Sequence, residues 1–152
     1  MLSIRVDIAN EKVLIQSMGH LAAAFPDAVE RGLARAAKGV HRIAFAWLSG
    51  AKGDPGAYPV PVITGHLRRL LDWIKPGESK STEAGSVTAG RFEAIIYNSA
   101  AYALTIFTGR GSSAKFGERN AIITAFEEFN EGERVAKIVQ EEVEKLVNRG
   151  MA

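Results

Sequence analysis

The stretch from Pro26 to Leu48 constrains the fold more than any other part of the chain. At 100° per residue, Val29, Leu33, Ala36, Val40, Ile43 and Trp47 fall on one broad face, as a core-facing helix requires. Pro26 fits the first turn, where its missing N–H costs nothing, and Asp27 and Glu30 suit the positive end of the helix. Ser49-Gly50 ends it. On the opposite face Arg31, Arg35, Lys38 and Arg42 lie within an arc of roughly 60°.

The other segments are shorter. Ile4, Val6 and Ile8 alternate with Ser3, Arg5 and Asp7, which predicts a first strand over 3–8. Leu14, Met18, Leu21 and Phe25 predict a helix over 11–24. Residues 50–62 carry three glycines and three prolines, so neither helix nor central strand persists there. Thr64 is a candidate cap for one helical turn at 65–69, and 70–75 reads as a strand stopped by Pro76-Gly77. The glycine-rich stretch 77–90 holds at most a weak strand around 84–89, whereas 91–97 is a better one. Ala100 to Phe107 suits a short helix. Ile122, Ile123, Phe126 and Phe129, then Val135 to Val147 after a break at Asn130–Gly132, make the last third helical. The strands are joined by connections too short for helical crossovers, so the sheet is expected to be mainly antiparallel. The fold class is α+β: a small sheet packed by a long N-terminal helix and a C-terminal helical segment, in one domain over 1–152 with flexible arms at about 50–62 and 108–117.

With 152 residues, 47% of them hydrophobic and 24% charged, the composition is that of an ordinary globule. No apolar run approaches the roughly 18 residues of a membrane span, and the start lacks a signal peptide's apolar core, so an intracellular chain is expected. The absence of cysteine excludes disulfides, thiolate zinc sites and thiol nucleophiles. His20, His41 and His66 sit on separate segments with no metal-ligand spacing, and no G-x-S-x-G elbow occurs. Gly109-Arg110-Gly111-Ser112-Ser113-Ala114 matches the G-x-G-x-x-A dinucleotide fingerprint in letters only: the acids some twenty residues on, Glu127 to Glu131, fall within a helical pattern. Neither cofactor nor metal is expected. Glu127-Glu128 and Glu141-Glu142 are adjacent in sequence, point to different sides of a helix and read as a solvated face.

Charge is unevenly spread. Residues 31–80 hold nine Lys/Arg against three Asp/Glu, and residues 118–149 hold five against eight, although the whole chain carries only +2. Faces of opposite sign suit copies that dock head to tail. The stripe of Arg31, Arg35, Lys38 and Arg42 has three readings: it tracks a phosphate backbone, meets an acidic patch on a neighbouring subunit, or faces water. The residues describe an interaction protein better than an enzyme.

The order of local motifs is informative. Ile63-Thr64-Gly65-His66-Leu67-Arg68-Arg69 resembles the T-G-x-L-[RK]-[RK] segment of the small neck and tail-completion proteins of long-tailed bacteriophages and prophages. Asn98-Ser99-Ala100-Ala101-Tyr102-Ala103 is similar to that family's N-x-x-x-Y-A segment, followed by a glycine-bearing loop, here Thr108-Gly109-Arg110-Gly111. Arg119 sits where members carry an arginine opening the final helix. The chain departs from the pattern at Leu70, Phe107 and Asn120, where serine, an acid and proline are usual.

The resemblance implies a non-enzymatic virion protein, made in the bacterial host cytoplasm, that assembles as a ring of copies at the head–tail junction or tail end. Its partners are then itself, portal-side connector and tail-tube proteins, with non-specific DNA contact possible and no membrane. On that reading Thr64, Gly65 and Tyr102 are architectural, Tyr102 as a core aromatic with its hydroxyl near the surface. Arg31, Arg35, Lys38, Arg42, Arg68, Arg69 and Arg110 are the candidate partner-binding residues. The alternative is a small DNA-binding module using Arg31, Arg35, Lys38 and Arg42.

Overall fold

The computed structural model describes residues 2–5, 23–49, 66–108 and 120–150. The readings at 11–22, Thr64, Gly65, Arg110 and Arg119, and those of the two arms, lie outside the described residues, apart from Thr108. The elements are β1 (Leu2–Arg5), α1 (Phe25–Leu48), α2 (His66–Arg69), β2 (Leu71–Ile74), β3 (Ser79–Thr82), β4 (Gly85–Thr88), β5 (Glu93–Asn98), α3 (Ala103–Thr108), α4 (Ala121–Phe129) and α5 (Arg134–Gly150). The architecture is α+β.

Helix α1 is the axis on which the rest is packed. Its C-terminus is closed by Ser49, whose hydroxyl donates to the Phe45 carbonyl at 2.6 Å. The buried positions run beyond the expected stripe: Ala28, Gly32, Ala37, Ala44 and Leu48 join Val29, Leu33, Ala36 and Val40. At 100° per residue they cover roughly 200° of the helix, because the sheet packs along one flank and α4 and α5 along the other. Two glycines set the helix–helix spacing. A Cβ on Gly32 would lie 2.8 Å from the Val139 Cα, and one on Gly39 2.6 Å from the Phe129 Cζ, so only glycine admits α5 and α4 this close.

Strand β5 is central, antiparallel to β1 on one side and to β2 on the other, with Ile4 opposite Ala94 and Trp73 opposite Ile96. Its run Ala94-Ile95-Ile96-Tyr97 is buried throughout, since both faces are covered. Ala94 and Ile96 join Leu71 in the core around α1, while Ile95 and Tyr97 join Ile74, Val87 and Ala89 in a second cluster under the β3–β4 hairpin.

That hairpin replaces the single weak strand expected at 84–89. Ser79–Thr82 carries no apolar residue to signal a strand, and its pairing comes from backbone geometry and hydroxyls. Gly85 adopts φ 125, and the Ser79 hydroxyl donates to the Thr88 hydroxyl at 2.9 Å.

The break before α5 falls where expected. Gly132 and Glu133 both have positive φ, and the Asn130 side chain accepts from the Val135 N–H at 3.1 Å. Asn120 caps α4, accepting from the Ile123 N–H at 3.1 Å, a role that a proline there would not supply. The face of α4 turned inward is Ala121, Ile122, Ala125 and Phe129. Ile123, expected in the apolar face, points outward at 37% exposure.

Candidate functional site

The cationic stripe of α1 is divided by α5. The Arg35 guanidinium donates to Glu141 at 2.9 Å and to Glu142 at 3.2 Å, and Arg31 approaches Glu142 at 3.7 Å. Glu142 also accepts from Lys145 at 2.8 Å. The bond from Lys145, with that from Arg35, holds its carboxyl below the usual carboxylate range against the opposing effect of partial burial. So Glu141 and Glu142 are not merely a solvated face: adjacent though they are, both reach the same arginine across the α1–α5 contact. Arg31 and Arg35 are thus ion-paired to α5, whereas Lys38 and Arg42 have no ion pair among the described residues.

Those two, one and two helical turns further along, join a different group. Phe45 follows Arg42 by three positions, is 43% exposed, and has the Arg68 guanidinium 5.7 Å from its ring centroid, within the ~6 Å of a cation–π contact. Arg69, next to Arg68 in α2, is exposed. Among the described residues, Lys38, Arg42, Arg68 and Arg69 form no ion pair. Four cations thus lie on two helices, and one of them, Arg68, sits over a partly exposed aromatic ring. The arrangement suits a surface that carries both negative charge and an apolar side chain.

The helix α2 that supplies Arg68 is held in place by the second motif segment. Asn98 Nδ2 donates to the Leu67 carbonyl at 2.6 Å, and Asn98 Oδ1 accepts from the Ala100 N–H at 3.0 Å. The Ser99 N–H donates to the Leu70 carbonyl at 3.2 Å. His66 stacks on Tyr102 with centroids 5.7 Å apart and an interplanar angle of 22°. Tyr102 is therefore not a core aromatic: it is 40% exposed, in the turn before α3, because Ala100, Ala103 and Phe107 fill the core there instead. His41 reaches the Leu71 carbonyl at 3.3 Å, a boundary residue between α1 and the sheet.

Two further features complete the described surface. A groove of about 330 Å³ runs between the hairpin and α3–α4, lined by Val87, Tyr97, Phe107 and Ile122, with the exposed side chains of Leu104 and Ile123 at its edge. Beside it, Asp72 of β2 pairs with Lys80 of β3, accepts from the Trp73 N–H at 2.8 Å and lies 3.4 Å from the Tyr97 hydroxyl. Partial burial pushes the Asp72 carboxyl up, but Lys80, the Trp73 N–H and Tyr97 together bring it below the ordinary value. Burial and the neighbouring Asp72 charge raise the Tyr97 phenol. This cluster fastens the hairpin to the sheet.

No group of three or more His, Asp or Glu suited to a metal occurs among the described residues, and no described helix is long and apolar enough to cross a membrane. Comparison with protein-family models, curated proteins and solved structures finds no match to this chain.

Proposed function

We propose that the chain is a structural subunit of a phage head–tail junction or tail-completion ring. The observation that carries the reading is the union of the two motif segments, far apart in sequence, in one unit: Asn98 and Ser99 donate to the Leu67 and Leu70 carbonyls, and Tyr102 stacks on His66. This unit sets Arg68 against Phe45 and so gives the two motifs a shared task, presenting a docking surface. Such a protein needs positioned charge and apolar anchors rather than an activated nucleophile.

A DNA-binding module is the second reading. It is weakened because Arg31 and Arg35 face α5 acids and are not a free row for phosphates. The deciding experiment is deletion of the gene in a lysogen followed by induction. The proposal expects filled heads and separate tails, with the protein present in purified wild-type virions by mass spectrometry. Intact infectious particles from the deletion strain, or absence of the protein from virions, would refute it.

A further inference from the structure

We infer that copies of this chain dock face to different face, with the Lys38, Arg42, Arg68, Arg69 and Phe45 surface of one copy receiving the outer face of α4 from the next. The inference rests on the structural-subunit reading for its biological setting and deepens it by naming the contact.

The receiving surface carries cations without ion-pair partners and a ring that stays partly exposed beside Arg68. Its four cations have no ion pair among the described residues, and Phe45 is 43% exposed. Lys38, Arg42 and Phe45 fall on one stripe of α1, at intervals of four and three residues.

The complementary surface is on the same molecule. Ile123 and Glu127, four residues apart on α4, point away from its buried face of Ala121, Ile122, Ala125 and Phe129. The turn that follows adds Glu131 and Glu133, both exposed. Among the described residues Glu127, Glu131 and Glu133 pair with no cation. Ile123 is 37% exposed. One surface therefore carries cations on the stripe that holds an exposed aromatic ring, with Arg68 over that ring, and the other carries carboxylates beside an aliphatic side chain. Docking them covers both apolar groups and places a charged rim around them, the usual anatomy of a specific contact.

A second copy fits better than a nucleic acid. A duplex backbone supplies mainly phosphates and sugar edges, whereas the α4 face sets carboxylates beside an aliphatic side chain that can pack on Phe45. The geometry also sets the kind of assembly. Because α4 packs on the Gly39 side of α1 and turns its Ile123–Glu127 face away from it, the two surfaces are different patches. Contact between different patches is heterologous, so each copy has one free face of each kind and assembly proceeds to a ring or a filament.

The test is self-association of the full chain by sedimentation velocity at low and high salt. Wild type is expected to associate at low salt and to dissociate as salt rises. Arg42→Glu and Glu127→Lys, each checked for an unchanged circular dichroism spectrum, should each weaken association by about tenfold or more. An equimolar mixture of the two variants should restore it, because Arg42 then meets Glu127 and the introduced Glu meets the introduced Lys. Wild type that stays monomeric at every concentration, a single reversal without effect, or a mixture that fails to recover would overturn the inference. So would loss of duplex DNA binding in Arg42→Glu with no self-association to lose. These readouts need no phage, so their failure is separable from that of the virion experiment.

Discussion

Replacing Gly39 by alanine, which inserts one methyl group where the Phe129 ring packs on α1, sets two opposing effects against each other. The new Cβ would lie 2.6 Å from the Phe129 Cζ and 3.1 Å from its Cδ2. The Phe129 Cε2 is nearer still, and non-bonded carbons rest at about 3.5–4.0 Å, so the ring must retreat by more than ~1 Å. It has little room: Phe129 is 5% exposed, and the Arg134 guanidinium lies 4.7 Å from its centroid. Alanine gains about 1 kcal/mol over glycine in a helix interior, while overpacking costs ~1–3 kcal/mol. With a ring this confined the upper half of that range applies, leaving a net loss of about 1–2 kcal/mol. For a chain of this length that is a fall in Tm of roughly 3–8 °C. Phe129→Leu removes the obstructing ring, so Gly39→Ala added to it should cost nothing or stabilise by up to about 1 kcal/mol. Urea and thermal unfolding of wild type, the two single variants and the double variant measure the coupling. A Gly39→Ala protein that melts at or above wild type with Phe129 intact would refute the close approach.

Asn98→Ala should cost about 1–3 kcal/mol, because it leaves the Leu67 carbonyl and the Ala100 N–H without their partner, and amide exchange at 67–70 should quicken while that of α1 does not. Asn120→Ala should cost about 1 kcal/mol through loss of the α4 cap, read as a lower urea midpoint. Asp72 and Glu142 have folded pKa values below their ordinary ones. Their stabilisation is therefore complete above the unfolded pKa of about 4 and is lost as pH falls through the folded values. Asp72→Asn should flatten the acid side of the stability profile and loosen the β3–β4 hairpin, and a urea midpoint as acid-sensitive as wild type would count against the Asp72–Lys80 attachment.

The main elements are legible in the sequence where periodicity is long or burial is two-sided. The α1 stripe, the unbroken apolar run of β5 and the pause at Asn130–Gly132 all locate real features. What is not legible depends on partners distant in the chain. Gly32 and Gly39 count against a helix by propensity alone, and their value emerges only when Val139 and Phe129 are brought against them. Arg31 and Arg35 look like Lys38 and Arg42 by spacing; they differ because α5 crosses one half of the stripe. Ile123 belongs to the apolar count of α4 yet faces out, since Ala121 and Ala125 are small enough to take the inner positions. Ser79–Thr82 has strand geometry without strand composition, and Tyr102 has core composition without a core position. Of the candidate site, the residue types were readable but the placement of Arg68 over Phe45 was not.

The pairing of β1 with β5 sets a timetable for biosynthesis. Leu2 lies opposite Ile96, so the earliest of the described strands in the chain pairs with the latest of them. At about 5–20 residues per second, roughly 5–20 s pass before that partner is synthesised. Helix α1 gains its local hydrogen bonds early, but the sheet closes late and non-locally, which makes it the slow step of folding. During that interval Leu2–Arg5 is an unpaired nascent segment, and it is the point at which a chaperone has most to protect.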